Sequence, residues 1–169
     1  MNEAFLMKIT WNVIKGHKFG YDLMQSRYLD GFDRPCDTLL ASSVWGRIKQ
    51  LVPELIADSY CLLGRGFSVL FWDDDWLGYF IADKISIPSF MRHRLKQTVA
   101  DYFYDGYWHF AMEFVEKFLN TVCDILLMPI GHDDDIRFWK PSVHGEVTSA
   151  LAFASRCHHF PMVAWGRWI

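Results

Sequence analysis

Three groups of residues have the types and spacing to do chemistry. The first is Asp73-Asp74-Asp75, held between Trp72 and Trp76. Carboxylates converging on two divalent ions would suit phosphoryl transfer. Three consecutive residues of an extended strand point to alternating faces, however, so they cannot all line one site. The sequence favours a structural reading, in which Asp74 hydrogen-bonds a turn while Trp72 and Trp76 pack. The second group, Asp133-Asp134-Asp135, lacks the spaced oxygen ligands and glycine of a calcium loop and reads as a solvated loop. The third is His144 with Cys157-His158-His159. Structural zinc needs four ligands in pairs across a short turn, and these adjacent residues fit that poorly. Gly64-Arg65-Gly66 lacks the lysine and the length of a phosphate-binding loop. None of these groups has the arrangement its chemistry needs, so we expect no catalytic residue, no metal and no cofactor in this chain.

The elements that position these groups follow from periodicity. Residues 1–15 read as a helix with Asn2 as cap and Leu6, Ile9 and Val13 on one face. Tyr21 to Leu29 forms a second, shorter helix, and residues 30–41 a loop. Ser42 or Ser43 caps a helix carrying Ile48, Leu51, Val52, Leu55 and Ile56, which Pro53 either kinks or restarts. Gly64-Arg65-Gly66 between two apolar runs predicts a β-hairpin over about 61–72. Ala111 to Leu126 shows a helical apolar stripe through Phe114, Phe118 and Val122, with a split at Asn120 as an alternative. Ile136 to Lys140, a turn at 141–145 and the return at 146–148 predict a second hairpin over 135–148. A helix capped by Ser149 follows. The fold class is therefore α+β, mostly helical with two hairpins.

Composition narrows the classes. The chain has 169 residues, 51% of them hydrophobic and 17% aromatic, enough to bury a core and against disorder. Its net charge of −3 gives no support to a free-standing nucleic-acid module, although a local basic face is compatible with it. Candidate phosphate contacts are Lys8, Lys15 and Lys18 near the N-terminus and Arg92, Arg94 and Lys96 beside aromatic residues. Solvated helix faces explain the same residues. Cys36, Cys61, Cys123 and Cys157 are scattered without a Cys-x-x-Cys pair, which predicts free thiols in a reducing compartment. With no signal-peptide pattern and no long apolar run, we expect an intracellular protein, nuclear or cytoplasmic, not secreted and without membrane contact.

One resemblance runs through most of the chain. Gly64, Gly66, Phe71, Trp72, Asp74, Trp76 and Leu77 form a pattern similar to a segment of plant non-LTR (LINE-type) retrotransposon polyproteins. That segment lies after the reverse transcriptase palm and thumb, and before the zinc-binding region and ribonuclease H domain. Asn2 to Lys8 with Trp11, then Ser42 to Trp45, resemble the same family, as do Asp135, Trp139, Gly145 and Thr148 and the final Trp165 and Trp168. Val147 departs from it, standing where an aromatic is usual. The resemblance implies a single region, 1–169, cut from a larger polyprotein. Residues 1–58 would be its helical thumb-connection part, and 59–169 the part leading to a zinc-binding domain beyond. The parent's activity is RNA-directed DNA polymerisation. This stretch would be scaffold, with nucleic acid as a weak partner in the parent. A small nucleic-acid-binding module using the basic clusters and aromatics is the alternative.

Overall fold

The computed structural model describes residues 3–16, 20–36, 43–92 and 94–157. Asn2, Lys18, Ser42, His158, His159, Trp165 and Trp168 lie outside the described residues. The chain is α+β, with helices dominant and two small antiparallel sheets.

Helix α1 (Glu3–Lys15) and helix α3 (Ser43–Ala57) form the first core because their apolar residues recur on one side. Leu6, Trp11, Val13 and Ile14 of α1 are buried with Trp45, Ile48, Val52 and Leu55 of α3. Pro53 sits inside α3, three-quarters of the way along, and the helix continues past it to Ala57. Helix α2 (Tyr21–Tyr28) lies against this core through Tyr21, Met24 and Tyr28, with Tyr28 stacked on Trp45 at 4.2 Å. Trp139, Val147 and Ala152 complete it from the far end of the sequence.

A second core gathers Cys61, Val69, Phe71, Trp76, Ile81, Val99 and Ile125. Phe71 is its centre, with Trp72, Trp76, Tyr102 and Phe110 all within 6.1 Å ring to ring. The chain runs on through short elements: α4 (Ile81–Lys84), α5 (Ser89–Arg92), β2 (Phe103–Tyr104) and β3 (Tyr107–Trp108). Helices α6 (Met112–Lys117) and α7 (Leu119–Leu126) follow, then β4 (Ile136–Trp139) and α8 (Ser149–Cys157). The helical stripe predicted over 111–126 is broken at Phe118, whose φ of −127° and ψ of 40° are not helical. The break turns Thr121, Val122 and Ile125 inward and leaves Leu119 and Leu126 exposed.

The two predicted hairpins do not form as drawn. Strand β1 (Ser59–Leu62) pairs instead with β4, antiparallel, with Ser59 opposite Trp139 and Leu62 opposite Ile136. Among the described residues, 63–72 contribute only an isolated bridge, Leu70 to Thr98. The backbone N–H groups of Gly64, Gly66 and Ser68 are taken by a side chain, so that stretch cannot run a ladder back along β1. The second reversal does turn, through Trp139 N–H to the Gly145 carbonyl at 2.9 Å, but residues 146–148 form no strand. Among the described residues the one local hairpin is β2–β3, across Asp105 and Gly106, both at positive φ. All four cysteines are unbridged. Among the described residues no helix is long and apolar enough to cross a membrane.

Candidate functional site

Strand β4 brings two carboxylate centres together at the junction of the two cores. At its start stands Asp135, a loop residue. Its Oδ1 accepts from the backbone N–H groups of Gly64 at 2.8 Å and Gly66 at 2.7 Å. Its Oδ2 accepts from the Ser68 N–H and the Ser68 hydroxyl, both at 2.9 Å. Successive backbone donors curled around an anion form a nest of the kind that elsewhere holds phosphate. Here the occupant is a carboxylate from 67 to 71 positions along the same chain. Arg65 adds an ion pair to Asp134, and its N–H bonds the Asp133 carbonyl.

Both glycines are demanded by this packing. Gly66 has φ +74°, a conformation L side chains rarely adopt. At Gly64 a Cβ would overlap the Asp133 carbonyl and the Asp134 backbone. We expect Gly64→Ala to cost about 1–3 kcal/mol, since backbone must shift to admit the methyl. Chemical denaturation reads the loss, and an unchanged midpoint would show that the nest is dispensable.

The second centre is Asp74, fully buried. Its Oδ2 accepts from the Leu70 N–H at 2.8 Å, closing the turn between Phe71 and Trp76. Trp76 locks the same turn by donating its indole N–H to the Phe71 carbonyl at 3.0 Å. Asp74 Oδ1 receives two guanidinium groups, Arg137 and Arg34, each at 3.1 Å. Arg137 comes from the middle of β4, and Arg34 from the loop after α2. Arg137 also reaches the Ser59 hydroxyl at 3.3 Å and faces Asp33 at 3.8 Å. Burial works against the Arg137 charge, yet the Asp74 carboxylate beside it holds its pKa above the ordinary guanidinium value. Asp75 points the other way and pairs with Lys140 at 2.7 Å. Asp73 is half-buried, and burial raises its pKa against the pull of Arg34 and Arg92. The aspartate triplet thus splits three ways.

A cavity of about 570 Å³ opens over these centres, walled by Lys15, Asp33, Cys61, Ser68, Asp135 and Arg137. Burial pushes the Cys61 thiol up to about 12, so it stays protonated at neutral pH. Burial likewise raises the Asp33 carboxyl above its ordinary value, outweighing the attraction of Arg137. A carboxyl whose folded pKa exceeds its unfolded one binds its proton more tightly when folded. Its contribution to stability therefore grows as pH falls through the folded pKa toward the unfolded value, and is lost as pH rises. We expect the melting temperature of the wild type, relative to Asp33→Asn, to rise on acidification from neutral pH toward the ordinary aspartate range. Parallel curves for the two proteins would contradict this.

Several of the basic candidates are engaged within the fold. Lys15 bonds the Arg137 carbonyl at 3.2 Å and pairs with Glu146 at 3.5 Å. Arg92 bridges Asp83 and bonds the Ile87 carbonyl, while Lys96 pairs with Asp30. Lys8 and Arg94 are exposed on separate elements. Lys18 lies outside the described residues.

The residues quoted for the resemblance fare differently. Gly64, Gly66 and Asp135 meet in the nest, and Phe71, Trp72, Asp74 and Trp76 share the turn and its aromatic core. Trp139 is fully buried in the first core, and Gly145 sits so close to the Phe138 ring that a Cβ there would overlap it. Arg34, Arg137 and Ser68 were not singled out from the sequence. A charged residue alternating with Phe and Trp in a short strand was the available signal for Arg137, since an inward arginine there needs a buried acid. Among the described residues, no group of three or more His, Cys, Asp and Glu is placed to hold a metal ion. Compared with known protein families, with curated proteins and with solved structures, the chain matches none.

Proposed function

We propose that this chain is a non-catalytic scaffold, the connection region of a plant LINE-type reverse transcriptase, which links the thumb to the zinc-binding region of the parent polyprotein. The observation that carries this reading is how its acids are used. Asp135 is saturated by four donors from the glycine loop, and Asp74 is buried between two arginines. Carboxylates engaged in this way have no lone pairs directed at a shared metal position, which two-metal phosphoryl transfer requires. They instead tie together segments far apart in sequence, which is work a spacer between two functional domains needs.

The test has two parts. The purified chain, given primer–template and Mg²⁺, should neither extend nor cleave nucleic acid. Mg²⁺-dependent turnover that disappears in Asp73→Asn, with cooperative unfolding retained, would sink the scaffold reading. In the second part, the chain replaces the segment between thumb and zinc-binding region of a plant LINE-type reverse transcriptase. Primer extension should survive the exchange and fail when the graft carries Arg137→Met. Extension indifferent to that substitution would mean that the segment does not position the parent's domains.

A further inference from the structure

The cavity of about 570 Å³ between α1, β4 and the loop after α2 has no part in the scaffold role. Its volume lies in the range of small-molecule sites. One wall residue, Asp33, has φ +61°, which is uncommon for a residue with a side chain. Residues held in such conformations cluster at ligand clamps. Gln25 fixes Asp33 by donating its amide N–H to Oδ1 at 3.1 Å, and the same amide is anchored on the Ile14 carbonyl at 2.7 Å. Asp33 Oδ2 is left facing Arg137 Nε at 3.8 Å, beyond hydrogen-bond reach. Among the described residues the Arg137 Nε–H has no hydrogen-bond partner, although Arg137 is only 8% exposed. A donor and an acceptor thus stand side by side in one wall with the bond between them unmade. Lys15, in the same wall, spends two of its three ammonium N–H groups on the Arg137 carbonyl and on Glu146, and brings the third to the site.

The charges around the cavity select the class of ligand. Lys15 and Arg137 are opposed by Asp33, Asp134 and Asp135, so a free anion meets repulsion from three carboxylates. Among the described residues no group of acids, histidines and cysteines is placed to hold a metal ion. An organic cation would set its charge against Lys15 and Arg137. A neutral molecule with a donor and an acceptor on neighbouring atoms has neither conflict. Its N–H reaches Asp33 Oδ2, and its carbonyl accepts from the Arg137 and Lys15 donors. Ile14 and Val69 give it apolar wall to lie against. We propose that this cavity binds a small neutral molecule through a cyclic-amide edge, an N–H beside a C=O, of the kind uracil carries.

Isothermal titration of the full chain with uracil tests this. Uracil should bind with a Kd of about 1 mM or below, within reach of a ligand this small. 1,3-Dimethyluracil keeps both carbonyls but has no N–H, and should bind roughly tenfold more weakly or worse, the loss expected for a hydrogen bond to a charged group. Asp33→Gly removes the carboxylate while glycine accepts the positive φ, and should weaken uracil by a similar factor with cooperative thermal unfolding retained. Asp105→Gly makes the same backbone change at the β2–β3 turn and should leave the affinity at the wild-type value. No binding of uracil to the wild type would overturn the proposal. So would equal binding of uracil and 1,3-dimethyluracil, a comparison that needs only the wild-type chain, or wild-type affinity in a folded Asp33→Gly. Benzoate or inorganic phosphate binding more tightly than uracil would make this an anion site and overturn it too.

Discussion

Arg137→Met lowers the unfolding free energy by about 3–5 kcal/mol, the range for removing one partner of a buried ion pair. The substitution keeps the packing volume of the side-chain stem but leaves Asp74 fully buried with one guanidinium where it had two. Arg34 remains at 3.1 Å, and its side chain is 27% exposed, so it offsets part of the loss and places the expected value toward the lower end. The Ser59 hydroxyl loses a donor in the same step. Removing both charges, in Asp74→Leu with Arg137→Met, should recover much of the deficit, because the desolvation cost disappears with the attraction. The recovery is incomplete, since the Leu70 N–H and the Arg34 guanidinium are then both without their carboxylate partner. Equilibrium denaturation of the two single variants and the double variant measures the coupling. An Arg137→Met protein within 1 kcal/mol of the wild type would mean that the cluster is ornamental, and with it the junction between the two cores.

Trp139→Ala costs a similar amount, about 3–5 kcal/mol, for a different reason. Trp139 is the last residue of β4 and is fully enclosed by the first core, so its removal leaves a cavity that helices cannot readily collapse to fill. Among the described residues the indole nitrogen of Trp139 has no hydrogen-bond partner, whereas that of Trp76 donates to the Phe71 carbonyl. Trp139→Phe should therefore be the milder of the two conservative changes. It loses volume and an uncompensated polar group together, while Trp76→Phe loses volume and strands a buried carbonyl. Thermal unfolding of the two phenylalanine variants decides the matter, and the reverse order would contradict the assigned geometry. Both losses should appear in one cooperative transition, since β4 carries Trp139 into the first core and Arg137 to the turn of the second.

The amino-acid sequence by itself determined the fold class and the longer helices α1, α2, α3 and α8. Apolar spacing marked α1 and α3, because a helix in water must bury one side, and that requirement is written every three to four residues. The aromatic density around Phe71 and the turn role of Asp74 were also local, since Leu70 and Trp76 lie within a few residues of it. Strand partners and ion-pair partners were not. Two short apolar runs beside glycines satisfy the pattern of a hairpin equally well whether they pair with a neighbour or with a strand more than 70 residues away. Tertiary structure made that choice. Folding brought Asp135 into the glycine loop, which consumed the donors a local hairpin would have needed and left β1 free to take β4. The same pairing set Arg137 over Asp74. The periodicity of a chain records which side of each element seeks cover. Which buried charge meets which depends on loop closures that no short window of sequence contains.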